Sequence, residues 1–225
     1  MKVIINGAMT VDGKIATASG DSRISSKQDL VRVHKLRASV DAIVVGISTI
    51  LADDPRLTVR LVRGKNPIRV IVDSKGRIPL ESKILQTASK VKTIVAMTDQ
   101  APADKIQKIE DMGAHVMVIS AGKEGQNAAV PRGVNLKELF MRLKNLGLKK
   151  ILVEGGGELN WSLLRLGLVD ELVVTIAPKI AGGRLAITLA EGDGFDKIAQ
   201  GIQLKLDKLE RKSKTGELVL YYRLL

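Results

Sequence analysis

Three short clusters in this chain carry residue types suited to holding phosphates and moving protons. The first is Glu154-Gly155-Gly156-Gly157, set between the apolar run Ile151-Leu152-Val153 and a helix-like run from Leu159 to Gly167. A strand, a glycine turn and a helix start expose free N–H groups at the positive end of a helix dipole, which suits phosphate or pyrophosphate. The carboxylate of Glu154, at the strand tip, shares the crevice in which open α/β sheets hold their ligands. Taken alone, three glycines read equally well as a tight turn. The second cluster runs from Gly46 to Arg60. A strand ends in glycine, Ser48 and Thr49 open a helical turn, and Asp53, Asp54, Arg56 and Arg60 follow closely. Hydroxyls at a strand-to-helix junction and arginine forks both match phosphate oxygens. The third is Asp73-Ser74-Lys75-Gly76-Arg77, after the strand-like Ile68–Val72. In dinucleotide sites this loop selects the cofactor: an acid takes the ribose hydroxyl of NAD, while Ser or Arg accepts the 2′-phosphate of NADP. Three donors against one acid favour NADP.

These clusters need a scaffold, and the pattern of apolar runs supplies one. Strand-like segments occur at Val3–Met9, Asp41–Gly46, Ile68–Asp73, Lys92–Met97, His115–Ile119 and Lys149–Val153. A helix is expected after Ser25, which with Gln28 reads as a capping box, with Leu30, Val33 and Leu36 as its apolar stripe. His34 and Arg37 flank that stripe, His34 as a packing or hydrogen-bonding group. Further helices are expected after Pro102, closed at Gly113, and after Asn135, closed at Gly147. From His115 to Ala177 the order is strand, helix, strand, helix, strand, which right-handed crossovers turn into a parallel sheet with helices on its faces. Gln203–Leu209 and Glu217–Leu224, split by Lys212-Ser213-Lys214-Thr215-Gly216, read as an antiparallel hairpin at the sheet edge. The stretch 122–133 reads as a glycine-rich loop, His115 as surface and Trp161 as a core anchor. No linker divides residues 1–225, so one domain is expected.

Composition limits the function. The chain has 225 residues, 45% of them hydrophobic, no cysteine and two histidines, so thiolate chemistry is excluded and a metal site is not expected. No apolar run is long enough to span a bilayer, and Met1-Lys2-Val3-Ile4-Ile5 enters a strand pattern and not a signal peptide, which makes a cytoplasmic location the expectation. The net charge of +12 raises a nucleic-acid partner, but the basic residues are interleaved with acids and aromatics make up 2%. A small phosphorylated substrate accounts for the same charge.

Read together, Asn6 to Lys14, Asp21-Ser22-Arg23-Ile24-Ser25, His34-Lys35-Leu36-Arg37-Ala38, Val45 to Arg60, Val72-Asp73-Ser74, Val153 to Trp161 and Ile176-Ala177-Pro178-Lys179 occur in an order that resembles the riboflavin-biosynthesis reductases. The similarity runs nearly end to end and is greatest to the stand-alone archaeal members. It implies a three-layer α/β, dihydrofolate-reductase-like fold: a mixed, mostly parallel sheet with antiparallel C-terminal strands and helices on both faces. It implies hydride transfer from NADPH to C1 of a ribosylaminopyrimidine 5′-phosphate, in a homodimer. By position it implies cofactor contacts at Ala8, Thr49, Asp53, Ser74 and Gly155-Gly156-Gly157-Glu158-Leu159, to which the third cluster adds Arg77. It implies substrate contacts at Ser22, Arg37, Leu57, Arg60 and Glu154, with Arg37 and Arg60 clamping the phosphate and Asp53 and Glu154 as the catalytic candidates. Bacterial relatives carry Lys where this chain has Asn6 and are fused to a zinc deaminase, whose cysteine signature is absent here. Lys14 reads as a solvated side chain. Two rival readings are a dihydrofolate-reductase-like enzyme for another pterin or pyrimidine, and a basic nucleotide- or RNA-binding domain.

Overall fold

Buried on both faces, the strands of a parallel sheet read as continuous apolar runs, and those runs assemble the centre of this molecule. A computed structural model describes residues 1–122 and 133–225, so the interior of the expected glycine-rich loop lies outside the described residues. Among the described residues nine strands form one sheet in the order β10-β11-β8-β1-β7-β3-β4-β5-β6. They are β1 (Lys2–Thr10), β3 (Ala42–Gly46), β4 (Ile68–Val72), β5 (Thr93–Met97), β6 (His115–Val118), β7 (Lys150–Val153), β8 (Glu171–Ala177), β10 (Leu204–Arg211) and β11 (Leu218–Leu224). The seven from β8 to β6 are parallel to their neighbours, and β11 and β10 run antiparallel. Two short strands missed by the sequence pattern, β2 (Lys14–Ala16) and β9 (Ile187–Thr188), pair antiparallel beside the main sheet.

The helices are α1 (Lys27–Arg37), α2 (Ile47–Asp53), α3 (Ala103–Asp111), α4 (Leu136–Asn145) and α5 (Gly157–Arg165). Alternation along β1 sends Val3 and Ile5 into one core and Ile4 into the other. The first core takes Leu139, Phe140 and Leu143 of α4 and Leu163 of α5; the second takes Ile47 and Ile50 of α2 and Ile109 of α3. Asn135 caps α4 as expected, its side chain accepting from Glu138 N. Among the described residues no helix is long and apolar enough to cross a membrane.

Helix α1 departs from expectation by one residue. Its N-cap is Ser26, not Ser25: Ser26 Oγ accepts from Asp29 N at 3.2 Å. Adjacent serines offer the backbone the same cap, and a distant acid decides between them. Glu217, just before β11, accepts from both Ser26 N and Ser26 Oγ at 2.7 and 2.6 Å. The stripe also differs, because Leu30 is 43% exposed while Asp29 and His34 are buried. Asp29 can be buried because it accepts from Arg32 Nε, Ser25 Oγ and Thr175 Oγ1 at 2.7–2.8 Å. Arg32 in turn donates to Asn6 Oδ1 at 2.9 Å, so α1 is fastened to β1 and β8 by polar contacts.

Candidate active site

A cavity of about 600 Å³ opens beyond the C-terminal ends of β1, β3, β4 and β7, the crevice in which open α/β sheets bind their ligands. Its floor is the glycine turn. Gly155 adopts φ +101, a conformation side chains rarely take, and α5 then starts at Gly157 behind Gly156 with no side-chain cap. The first N–H groups of α5 are therefore free to meet an anion. Gly46 N donates to Gly155 O at 3.0 Å, which seats the start of α2 against the turn and brings Thr49 beside Gly156. Leu159 borders the cavity from the first turn of α5.

One wall was not legible in the sequence. Residues 187–191 cross the glycine turn so closely that a Cβ on Gly157 would sit 2.6 Å from Thr188 O, and one on Gly7 would sit 2.8 Å from Leu189 Cδ1. Asn160 holds this strap, donating from Nδ2 to Leu189 O at 2.8 Å, and Lys14, expected to be solvated, donates to Ala186 O at 3.3 Å. Glu158 and Glu191 both face the cavity; burial, with Glu191 and Asp193 nearby, raises the Glu158 carboxyl above its ordinary pKa. The signals that could have revealed the strap are the two glycines opposite it, Gly7 and Gly157, and neither belongs to a motif that points there.

The opposite wall is ionic. Arg37 and Glu154 form a bidentate pair at 2.8 and 2.6 Å, with side chains 12% and 10% exposed. Burial alone would lower the Arg37 pKa, and the carboxylate beside it reverses that and raises it. Arg37 Nη1 also donates to Thr58 O at 3.2 Å, tying α1 to the segment between α2 and β4. Arg60 in that segment is exposed and its pKa is lowered, by burial first and then by Arg37 and Arg56. Arg37 and Arg56 thus both act on Arg60, with Glu154 already engaged by Arg37.

The chain matches the RibD C-terminal domain model over residues 1–216. It belongs to the RibD C-terminal domain family. The 2,5-diamino-6-ribosylamino-4(3H)-pyrimidinone 5′-phosphate reductase of Methanothermobacter thermautotrophicus is 46% identical over 209 residues, 92% of this chain and 91% of that protein. Among solved structures, Acinetobacter baumannii RibD aligns over all of this chain with a TM-score of 0.80 and 27% identity. The chain spans 58% of that longer protein. Dihydrofolate reductase from Enterococcus faecalis aligns over 99% of this chain and 96% of its own with a TM-score of 0.53 and 13% identity, a likeness of fold alone. The RibD-type domain described here has that dihydrofolate-reductase-like architecture.

Within this RibD-type domain the residues singled out from the sequence fall into two groups. Ala8, Thr49, Asp53, Ser74, Arg77 and the stretch Glu154–Leu159 border the cavity, as do Ser22 and Arg37. Leu57 and Arg60 are not among the residues that border it. Leu57 has φ +51 and buries its side chain in the second core, at 2% exposed. Arg60 donates to Thr58 Oγ1 at 2.9 Å from the exposed loop. The fork of Arg37, expected to clamp a phosphate, is engaged by Glu154, because a carboxylate at the tip of β7 sits directly opposite it. Ser22 Oγ donates to both carboxylate oxygens of Asp53 at 3.1 Å. Asp73, the one acid weighed against the three donors of its loop, is fully buried, accepting from Ile78 N at 2.8 Å and Arg77 Nε at 3.5 Å. Sequence reasoning also missed Arg32, whose guanidinium meets Asn6 at the cavity edge.

Proposed function

We propose that this chain reduces 2,5-diamino-6-ribosylamino-4(3H)-pyrimidinone 5′-phosphate to its ribitylamino product in riboflavin biosynthesis, with NADPH as the reductant. Family membership supports the reaction class, and the activity of the 46% identical Methanothermobacter reductase supports the substrate. The observation that carries the reading is the single cavity with an uncapped, glycine-led helix start on one side and the Arg37–Glu154 pair on the other.

The donor set suits a dinucleotide. Gly155–Gly157 and the first turn of α5 would hold the pyrophosphate, with Ala8, Thr49, Glu158 and Leu159 around it. Ser74 and Arg77 would take the 2′-phosphate, and the burial of Asp73 leaves no free acid in that loop to select NAD. Bound NADPH supplies the hydride. The chain's own residues bind and orient. Arg60 would hold the 5′-phosphate from the loop outside the cavity, with Ser22 of the cavity wall adding a hydrogen bond, and the loop backbone around Leu57 would line the approach. Glu154, held by Arg37, would accept hydrogen bonds from the pyrimidine amines or the sugar. When the furanose opens, the amine proton passes to the ring oxygen and C1 becomes a neutral imine, whose nitrogen must take up a proton before C1 accepts hydride. Asp53, at the cavity edge, would assist that protonation of the nitrogen.

The domain would work as a cytoplasmic homodimer on this small molecule, without metal, nucleic acid or membrane. Strand β10 supports the dimer: it is the outer edge of the sheet, and a bulge between Leu206 and Lys208 leaves Leu204, Leu206 and Leu209 on one exposed face. The test is NADPH oxidation on adding the ribosylaminopyrimidine phosphate. Oxidation that requires this substrate, and not a dihydropterin, is the expected result; no NADPH binding would end the proposal.

A further inference from the structure

The backbone from Asp54 to Leu61 takes two left-handed turns at residues other than glycine, Asp54 at φ +40 and Leu57 at φ +51. Such conformations cost free energy and persist only where their surroundings impose them. Here the restraints are side chains from other elements. Lys83 Nζ donates to Asp54 O at 3.3 Å, Asn66 Oδ1 accepts from Val59 N at 2.8 Å, and Arg37 reaches Thr58 O. The last restraint is His34. Its Nδ1 accepts from Arg60 N at 2.8 Å and from Leu61 N at 3.3 Å, and the residue is buried at 3% exposed.

We propose that His34 is a positioning residue for the phosphate end of the substrate: its neutral imidazole holds the Arg60 backbone in place, and protonation of His34 releases it. This rests on the reading of Arg60 given under the proposed function. The chemistry follows from the hydrogen-bond inventory. Nδ1 accepts only in the neutral tautomer that carries its proton on Nε2; in the imidazolium both nitrogens donate, and two backbone N–H groups would face a third donor. The groups that face His34 favour the neutral form. Burial, then Arg37 on its own helix and Arg60 on the loop, lower its pKa, and Glu154 opposes them more weakly. The tie therefore holds at neutral pH and is lost as pH falls through that lowered value.

The test compares wild type with His34→Phe, which keeps the ring and loses the acceptor, and His34→Asn, whose Oδ1 accepts and does not titrate. His34→Phe is expected to raise KM for the ribosylaminopyrimidine phosphate about tenfold, leaving kcat and NADPH affinity unchanged, and His34→Asn to restore it. On the acid side KM should rise more steeply in wild type than in His34→Asn; the second ionisation of the phosphate is common to both, so their ratio isolates the imidazole. Ribose 5-phosphate binding measured by calorimetry reads the loop without turnover and should fall in His34→Phe alone. Equal binding by wild type and His34→Phe, a joint fall of kcat and melting temperature, or identical acid limbs in wild type and His34→Asn would overturn the inference. A wild-type protein that binds ribose 5-phosphate yet reduces nothing would count against the substrate and leave His34 standing; one that binds neither would sink both.

Discussion

The glycine turn at 155–157 and the arginine loop at 54–61 are joined through the Glu154–Arg37 pair, yet they are held in shape by different means. The turn is made by its own sequence, with Gly155 at positive φ and Gly156 serving as the bare cap of α5. Its precision comes from missing side chains, since Gly157 admits the 187–191 strap only because it has no Cβ. The loop also bends through positive φ, but at Asp54 and Leu57, and its shape is imposed by Lys83, Arg37, His34 and Asn66 reaching in from elsewhere. On the proposed assignment, a cofactor site is written locally, while the substrate site depends on contacts spread along the chain.

Breaking the joint between them should have the largest effect. Glu154→Ala leaves the Arg37 guanidinium buried without its carboxylate and should cost about 3–5 kcal/mol of stability by denaturant titration, with loss of turnover. Gly157→Ala attacks the turn alone. It forces a methyl against Thr188 O and should cost about 1–3 kcal/mol, with NADPH affinity, read by fluorescence, lost far more than ribose 5-phosphate binding. Arg60→Ala attacks the loop alone and should do the reverse, raising KM for the phosphate substrate about tenfold while the NADPH dissociation constant stays put.

The smallest effect sharpens the turn. Glu158 places a negative charge beside the expected pyrophosphate, so Glu158→Gln should tighten NADPH binding about twofold. Its pKa is raised, so the repulsion is present above that pKa and disappears as pH falls through it. NADPH binding to wild type should therefore gain more on acidification than binding to Glu158→Gln. Equal gains would show that this carboxylate does not sense the cofactor.

The same contrast explains what could be read in advance. The central strands, the helices at 103–111, 136–145 and 157–165, and the closing hairpin follow from local apolar period and end signals, which the sequence states directly. The shift from Ser25 to Ser26 was hidden because Glu217, almost two hundred residues away, chooses between two equal caps. The burial of Asp73 is not legible because nothing in the sequence shows that Ile78 N and Arg77 Nε will engage its carboxylate. The pairing of Arg37 is hidden because its partner Glu154, at the tip of β7, is 117 residues further along the chain. The strap at 187–191 carries no motif, and its place is set by absent atoms at Gly7 and Gly157. Local chemistry was legible; long-range pairing was not.

The proposed function requires a reduced dinucleotide at the glycine turn of the cavity and a sugar phosphate at the arginine loop beside it. Diffraction from crystals soaked with NADP and ribose 5-phosphate tests it most directly. The pyrophosphate should lie against the N–H groups of Gly155–Gly157, and the sugar phosphate within hydrogen-bond reach of Arg60, with the sugar reaching from there into the cavity. Density for the dinucleotide away from the glycine turn, or for the phosphate on a face remote from Arg60, would contradict it.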